Sequence, residues 1–324
     1  MMNWIKCAVG AVAIAAASVG AAKTTWNLPA GYADANFQTQ NLRWFAEEVK
    51  KATNGELEIV VHANASLFKL PDIKRAVQTG QVPIGEILVS LYGNEDALFE
   101  ADMIPFMAAG FDNSRKLYSV QKPMLEKKLS AQGMRLLYSV GWPGNGIFSK
   151  APMDSLDAFK GAKFRAYNAV TARLAEALGA QPTTVQVPEL PQAFMTGIAT
   201  TMIASPQIGV DTKAWEFLTT FYDYNAMHPK NAVIINERNF KRLSPEIQAA
   251  VLKAGAQAEK RGWDLAEKAA TSAVDSLSKN GIKVIKPDAQ MQGDFERVAD
   301  KIIEEWAGRA GDDGAKIRSA MRAR

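Results

Sequence analysis

Hydrophobic and polar residues follow one recurring pattern along the chain: an amphipathic helical segment, a glycine, and a short run rich in β-branched residues. For example, RWFAEEVKKATNG precedes ELEIVV, and VTARLAEALG precedes AQPTTVQV. Glycine after a helix adopts the left-handed conformation that ends the helix and lets a strand begin. The glycines in this position are Gly55, Gly80, Gly133, Gly179 and Gly281. Strands and helices that alternate in this way predict an α/β protein with mostly parallel sheets.

Two segments depart from this pattern. Ser244 and Pro245 have the residue types of a helix N-cap and first position, and the helical pattern then continues to about Asn280. A helix of about 35 residues is about 50 Å long, which is enough to bridge two lobes unless Gly255 or Gly262 bends it. The glycine- and proline-rich stretch 141–153 is predicted to be a crossover between the lobes.

The first residues, MMNWIKCAVGAVAIAAASVGAAK, have the composition of a secretory signal. Lys6 gives a positive start, an apolar stretch follows, and small residues end it near Ala22. The stretch is shorter than the run of about 18 apolar residues that spans a bilayer, so we predict a cleaved signal peptide over 1–22, with an uncleaved anchor as the alternative. Cys7 is the chain's single cysteine and would leave with the signal. Disulfides and thiol chemistry are then excluded from the mature protein.

Composition and motifs indicate binding rather than catalysis. The chain of 324 residues is 48% hydrophobic with a net charge of +4, which is typical of about two globular domains and does not favour nucleic acid as a partner. Of its two histidines, His62 is expected to be structural or solvated. For His228, which precedes Pro229, a site role is the alternative to a structural role. No nucleophile elbow, metalloprotease motif or phosphate-binding loop is present, so no cofactor and no metal is predicted.

One charged residue stands out in GAKFRAYN, residues 161–168. Arg165 lies in a predicted strand among residues expected to be buried, and a guanidinium is rarely buried without a partner. The partner is either internal, with Asp154, Asp157 and Glu189 as the candidates, or it is the carboxylate of a ligand bound in a cleft between lobes.

Several segments, in order along the chain, resemble one family. SLDAFKGAKFRAYN resembles the D-L-K-G-x-K-x-R signature of the solute-binding proteins of tripartite ATP-independent periplasmic (TRAP) transporters, of the dicarboxylate-binding (DctP) type. FAEEVKKATNGELEIVVHANASLF, IKRAVQTGQVPIGEI, LGAQPTTVQVPELPQAFMTG and FKRLSPEIQAAV resemble further segments of the same family. The resemblance therefore covers nearly the whole chain after the signal.

The resemblance implies a two-lobed periplasmic binding protein fold with a hinge and a long helix bracing both lobes. The lobes would comprise 23–143 with about 231–270, and 144–230 with about 271–324, hinged near 141–146 and 229–231. It further implies a monomer in the periplasm that is not an enzyme, closes over an organic acid and delivers it to a TRAP permease. A receptor module for a membrane sensor is the alternative.

In this family an arginine that matches Arg165 meets the ligand's carboxylate. Many members carry a second arginine where this chain has Gly146, and an acidic residue where it has GIATTMIASPQIG. We therefore expect a monocarboxylate, with 2-oxo or 2-hydroxy acids bearing an apolar or aromatic tail as candidates. The remaining predicted ligand-binding residues are Tyr32, Phe68, Tyr92, Trp142, Asn145, Tyr167, Asn168, Ser205 and Trp215.

Overall fold

The computed structural model describes residues 23–322, so the predicted signal peptide lies outside the described residues. In chain order the elements are β1 (Thr24–Pro29), α1 (Phe37–Ala52), β2 (Leu57–His62), α2 (Ile73–Gln78), β3 (Ile84–Leu88), α3 (Phe111–Ala131), β4 (Met134–Gly141), β5 (Gly146–Ser149), β6 (Lys163–Ala166), α4 (Ala169–Ala177), β7 (Gln181–Thr184), α5 (Leu190–Met195), β8 (Thr201–Ala204), α6 (Pro206–Asp211), β9 (Thr220–Tyr222), β10 (Lys230–Asn236), α7 (Glu237–Lys241), α8 (Pro245–Lys279), β11 (Lys283–Ile285) and α9 (Ala289–Arg322). No helix among these is long and apolar enough to cross a bilayer.

The strands form two lobes of mostly parallel sheet. One lobe contains the pair β1–β2 and the sheet β3–β10–β4, and the other contains the sheet β11–β9–β5–β8–β6–β7. Only β10 and β5 are antiparallel to their neighbours. Each of them is the first strand after a crossover from the other lobe. The remaining pairs are parallel. The predicted α/β, two-lobed fold is confirmed, whereas the lobe boundaries stay a prediction.

The glycines that were expected to end helices do so. All five have a positive φ between 76° and 92°, which residues with a Cβ rarely adopt, and each precedes a strand or the turn leading to one. The alternation of helical and strand patterns in the sequence therefore corresponds to the order of helices and strands in the structure.

The long helix α8 braces both lobes. The Ser244 hydroxyl accepts the N–H of Ile247 at 3.3 Å and caps its start. Its first half packs on α1 and β4, and its second half on α6 and β11. The helix runs without a break through Gly255 and Gly262, so these glycines do not bend it. They allow Leu137 and Val140 of β4 to approach the helix backbone.

A second long helix, α9, was not predicted. It is interrupted at Gly311, which has a φ of 53°, and it packs against α3 and the 3-10 helix Ala97–Met103. The indole of Trp306 donates to the carbonyl of Ala97 at 2.7 Å. This helix is about as amphipathic as α8, so its pattern could have been recognised in the sequence.

The two crossovers between the lobes are paired with each other. Trp142 N–H donates to the carbonyl of Pro229 at 2.8 Å, and Asn145 N–H to the carbonyl of Met227 at 2.8 Å. The carbonyl of Asn145 in turn accepts from Ala226 N–H at 3.0 Å. Both segments therefore lie side by side, which places the candidate hinge residues at the inner end of the cleft.

Candidate functional site

A partly enclosed cavity lies between the lobes at the hinge. Its volume is about 40 Å³, which is room for a small solute. Its walls are mostly apolar, and its lining residues are Tyr32, Leu70, Leu88, Trp142, Asn145, Arg165, Tyr167, Gln186, Val187, Ala204, Ser205, Ile208 and Pro229. Arg165 is the only charged side chain in this list. The geometry suits a compact, largely apolar molecule with one anionic group.

Arg165 lies near the end of β6 with only 2% of its surface exposed. Its Nε–H donates to the carbonyl of Val185 at 2.8 Å, and one terminal nitrogen donates to the carbonyl of Ile203 at 3.4 Å. The guanidinium carbon lies 4.9 Å from the centre of the Tyr167 ring. These contacts fix the plane of the guanidinium and leave its other terminal nitrogen without a hydrogen-bond partner among residues 23–322.

No carboxylate of the described chain pairs with Arg165. Asp154 accepts the Tyr222 hydroxyl at 2.7 Å, and Asp157 pairs with Lys160 at 2.7 Å. Glu189, the third internal candidate, makes no bond to the guanidinium either. Burial of the charge without a counter-ion lowers the pKa of Arg165 to about 10. The cation therefore faces the cavity uncompensated, which is the arrangement that an incoming carboxylate would complete.

Two aromatic rings form one wall of the cavity. Tyr32 and Trp142 have ring centres 4.7 Å apart, and Phe37 packs edge-on against the indole from behind. The side-chain oxygen of Asn231 accepts the Trp142 indole N–H at 2.9 Å and lies 3.5 Å from the Tyr32 hydroxyl. The buried amide of Asn231, which does not itself line the cavity, therefore orients both rings.

The opposite side of the cavity supplies polar groups. The amide nitrogen of Asn145 donates to the Tyr167 hydroxyl at 2.6 Å, and this hydroxyl donates to the sulfur of Met103 at 3.4 Å. The Ser205 hydroxyl accepts Ile208 N–H at 3.3 Å and caps α6. The side-chain oxygen of Asn145 has no partner in the described part of the chain. Asn145 thus offers a group that can hydrogen-bond a ligand away from the guanidinium.

Four predicted site residues do not line the cavity. Asn168 caps α4 and donates to the hydroxyl of Ser90 at 2.9 Å, a hydrogen bond between the lobes. The Tyr92 hydroxyl lies among backbone groups of the segment 70–74. Phe68 and Trp215 are partly buried against the hydrophobic core. Asn168 therefore links the two lobes, and the other three side chains lie outside the cavity lining.

The structure adds lining residues that the sequence analysis missed, among them Leu70, Leu88, Gln186 and Val187. Val187 borders the inner cavity and also two outer grooves between the lobes, each with a larger volume. Val187 therefore lies between the inner cavity and both grooves. The QVPELP motif could have indicated this segment because its prolines disfavour a continuing strand.

Position 146 cannot hold a second arginine in this fold. A Cβ at Gly146 would lie 2.2 Å from the carbonyl oxygen of Tyr222 and 2.6 Å from the Phe221 ring. This position faces β9 rather than the cavity. Within residues 23–322 no cluster of three or more His, Cys, Asp or Glu side chains could hold a metal ion.

His228 has a structural position at the hinge. One ring nitrogen, Nδ1, donates to the carbonyl of Trp142 at 3.0 Å, and Nε2 accepts Gly110 N–H at 3.0 Å. Because Nε2 accepts, the ring is neutral. Burial lowers the pKa of His228 to about 4, which keeps it neutral at pH 7. The imidazole connects the crossover to the start of α3 and does not reach the cavity lining.

Comparisons with known proteins agree with this architecture. The family model described as DctP, bacterial extracellular solute-binding protein, family 7, matches residues 31–309. The chain is similar to DctP6 of Bordetella pertussis, an extracytoplasmic solute receptor binding pyroglutamic acid, with 46% identity and a TM-score of 0.91 over 93% of this chain and 100% of that one.

Two further relatives are named for different acids. A marine metagenome TRAP solute-binding protein specific for pyroglutamate has 36% identity and a TM-score of 0.91, covering 94% of this chain and 100% of that one. The C4-dicarboxylate-binding periplasmic protein DctP of Rhodobacter capsulatus is 24% identical over 82% of this chain and 81% of its own length.

Proposed function

Because the chain belongs to family 7 of the bacterial extracellular solute-binding proteins, the DctP family, we propose that it captures a compact organic monocarboxylate and delivers it to a TRAP permease. It is a transport protein that binds small acids and not an enzyme. In this proposal the carboxylate meets Arg165 in the interlobe cavity, and the closed protein is the form that the permease recognises.

The observation that carries this proposal is the uncompensated guanidinium. Arg165 is buried, held by two backbone carbonyls, and lacks a carboxylate partner within residues 23–322. Two parallel charge-assisted hydrogen bonds to a carboxylate would supply the missing counter-charge. In an enclosed site this attraction is stronger than in water, because the effective dielectric constant is lower.

Pyroglutamate is the ligand that we propose first. Two relatives at 46% and 36% identity bind it, and the cavity suits a small ring. Its carboxylate would bind Arg165, its lactam group would hydrogen-bond Asn145 or Ser205, and its methylene groups would contact the aromatic wall. Branched 2-oxo acids are the second candidates, since they also combine one carboxylate with an apolar body.

A dicarboxylate fits this cavity poorly. Its second carboxylate would be buried opposite apolar and neutral polar side chains, with no second cation in the lining. A buried charge without a partner costs several kcal/mol. We therefore expect discrimination against C4-dicarboxylates even though a relative at 24% identity carries that name.

Calorimetry on protein that has been unfolded, dialysed and refolded to remove bound ligand tests the proposal. The titrants are L-pyroglutamate, 2-oxoisovalerate, phenylpyruvate and succinate at pH 7. The proposal predicts that L-pyroglutamate binds most tightly and that succinate binds weakly or not at all. Tightest binding of succinate, or absence of binding for every monocarboxylate, would overturn it.

Export and delivery need separate tests. Cell fractionation of the full chain is expected to recover a shortened protein from the periplasm, and size-exclusion chromatography is expected to give a monomer. Uptake of labelled pyroglutamate into vesicles that contain a matching TRAP permease should require this protein. A sensor kinase as the only membrane partner would favour the receptor-module alternative.

A further inference from the structure

Two hydrogen bonds hold the side-chain amide of Asn145 in place at the cavity. Its nitrogen donates to the Tyr167 hydroxyl at 2.6 Å, and that hydroxyl donates to the sulfur of Met103 at 3.4 Å. All three side chains are more than nine-tenths buried. The capture of a carboxylate by Arg165 does not require this Met103–Tyr167–Asn145 network, which is therefore free to act on another part of the ligand.

The chemistry of the three groups fixes the direction of both hydrogen bonds. A thioether sulfur carries no hydrogen and can only accept, so the phenol of Tyr167 donates its single hydrogen to Met103. The phenol oxygen can then only accept from Asn145, and an amide donates through its nitrogen. The nitrogen of the amide therefore faces Tyr167, and the amide oxygen is left over.

The amide oxygen of Asn145 is an acceptor in the wall of the cavity. The residue lines the cavity and is only 1% exposed, and its side-chain oxygen has no hydrogen-bond partner within residues 23–322. Its backbone is fixed as well, because its N–H donates to Met227 and its carbonyl accepts from Ala226 in the paired crossovers. A buried acceptor that is held in place and left without a protein partner recognises a hydrogen-bond donor on the ligand.

This acceptor lies close to the cation. The guanidinium carbon of Arg165 is 4.9 Å from the centre of the Tyr167 ring, and Asn145 contacts the hydroxyl of the same ring. The two groups are therefore about the length of one phenol apart. A small ligand whose carboxylate meets Arg165 brings the atoms beside that carboxylate towards the oxygen of Asn145.

The other polar side chains of the lining differ from Asn145. The Ser205 hydroxyl accepts Ile208 N–H at 3.3 Å, so its own hydrogen is available to donate to a ligand. Gln186 is the other amide of the lining, but it is only half-buried and also borders an outer groove. Ser205 therefore suits a ligand carbonyl, and Asn145 suits a ligand N–H.

We propose that Asn145 determines specificity by selecting acids with a hydrogen-bond donor next to the carboxylate, and that Tyr167 and Met103 are positioning residues that present its oxygen. This inference rests on the proposed function and narrows its ligand class to lactam acids, whose ring N–H adjoins the carbon that carries the carboxylate. The lactam carbonyl would accept from Ser205. A lactone or a 2-oxo acid has an acceptor in place of this donor, so two acceptors would meet without a hydrogen between them.

The network also links selection to closure of the lobes. Tyr167 follows β6 of one lobe, whereas Met103 ends the 3-10 helix Ala97–Met103, which packs on α3 of the other lobe. Separation of the lobes would part the phenol from the sulfur. The amide of Asn145 is therefore held in this orientation only when the lobes are together.

Calorimetry with two matched acids tests the inference on the refolded wild-type protein at pH 7. The probes are L-pyroglutamate and (S)-5-oxotetrahydrofuran-2-carboxylate, the lactone in which a ring oxygen replaces the N–H. Both have the same ring size, carbonyl and carboxylate, and proton NMR confirms that the lactone ring stays closed during the titration. We expect the lactone to bind about ten- to one hundredfold more weakly, because its ring oxygen would face the oxygen of Asn145.

Three variants and one control attribute this ratio of Kd values to the network. Met103→Leu keeps the volume and removes the sulfur, so the Tyr167 hydroxyl can donate to the amide oxygen and turn the amide over. The ratio should then fall about fivefold or more, as it should in Tyr167→Phe, which keeps the ring beside Arg165, and in Asn145→Ala. Met134→Leu, buried at the start of β4 outside the lining, should keep the wild-type ratio. A merely structural role would weaken both acids equally and leave the ratio unchanged.

The outcomes distinguish this inference from the proposed function. Equal affinity of the wild-type protein for the lactam and the lactone, or a preference for the lactone, would overturn the inference and leave the capture of a monocarboxylate intact. A wild-type ratio that persists in both Met103→Leu and Tyr167→Phe would overturn the positioning roles. Absence of binding for both probes and for every other monocarboxylate would overturn the proposed function, and the inference with it. The wild-type ratio alone decides whether the cavity selects a donor, whichever variants fold.

Discussion

Replacing Arg165 with methionine is expected to separate binding from stability. The substitution keeps the volume of the side chain and removes the charge. Two charge-assisted hydrogen bonds to a carboxylate contribute about 1.5–3 kcal/mol each. Their loss should raise Kd for the ligand by about one hundred- to ten-thousand-fold.

The effect on the ligand-free protein is expected to be small. Burial lowers the pKa of Arg165 from 12.5 to about 10, which corresponds to a cost of about 3 kcal/mol for keeping the charge in the folded state. Methionine removes this cost but leaves the carbonyls of Val185 and Ile203 without their donor, at about 1–3 kcal/mol each. These opposing contributions should leave the unfolding free energy within about 2 kcal/mol of wild type.

Urea unfolding followed by circular dichroism measures the stability, and calorimetry measures the affinity. Arg165→Lys is the matched control, because it keeps the charge but not the planar pair of donors, and its affinity should be intermediate. Loss of more than about 4 kcal/mol of stability with an unchanged Kd would refute the reasoning, since Arg165 would then be a structural residue.

Three further predictions concern the hinge, the long helix and the cavity wall. Because burial lowers the pKa of His228 from 6.5 to about 4, its stabilising contribution is present above pH 6.5, and about 3 kcal/mol is lost as the pH falls to 4. Urea unfolding at both pH values checks this, and His228→Gln should not show that part of the loss. Gly262→Ala places a Cβ 2.3 Å from a methyl carbon of Val140 and should destabilise by about 1–3 kcal/mol in urea unfolding. Gly308→Ala, a helical glycine with no atom within 4 Å of its new Cβ, should instead be neutral or stabilising, and equal effects of the two alanines would contradict the packing argument. Val187→Ala should speed ligand release in stopped-flow displacement by opening the cavity to the outer grooves, and an unchanged off-rate would show that Val187 does not separate them.

Most of the fold could be predicted because the local sequence signals for the ends of helices agree with the helices and strands that pack in the structure. The five helix-ending glycines and the cap at Ser244 are local signals, and each corresponds to an element boundary in the structure. The helix α9 is as amphipathic as α8 and could have been predicted, but its packing partners, such as Ala97 for Trp306, are distant in sequence and carry no local signal. Likewise, only three-dimensional packing shows that Gly262 makes room for a β4 side chain.

The candidate site could be predicted only in part, for a physical reason. Arg165 was recognisable because a charge in a buried strand violates the ordinary pattern. Leu70 and Val187 carry no such signal, because an apolar residue in a wall resembles one in a core.

Mass spectrometry of the small molecule released by unfolding the natively purified protein tests the central claim most directly. The ligand should be released in near-stoichiometric amount from wild type and be absent from Arg165→Met. The account predicts a compact monocarboxylic acid, with pyroglutamic acid as the expected species. Recovery of a dicarboxylate, a sugar acid or a cation, or of the same ligand from Arg165→Met, would contradict it.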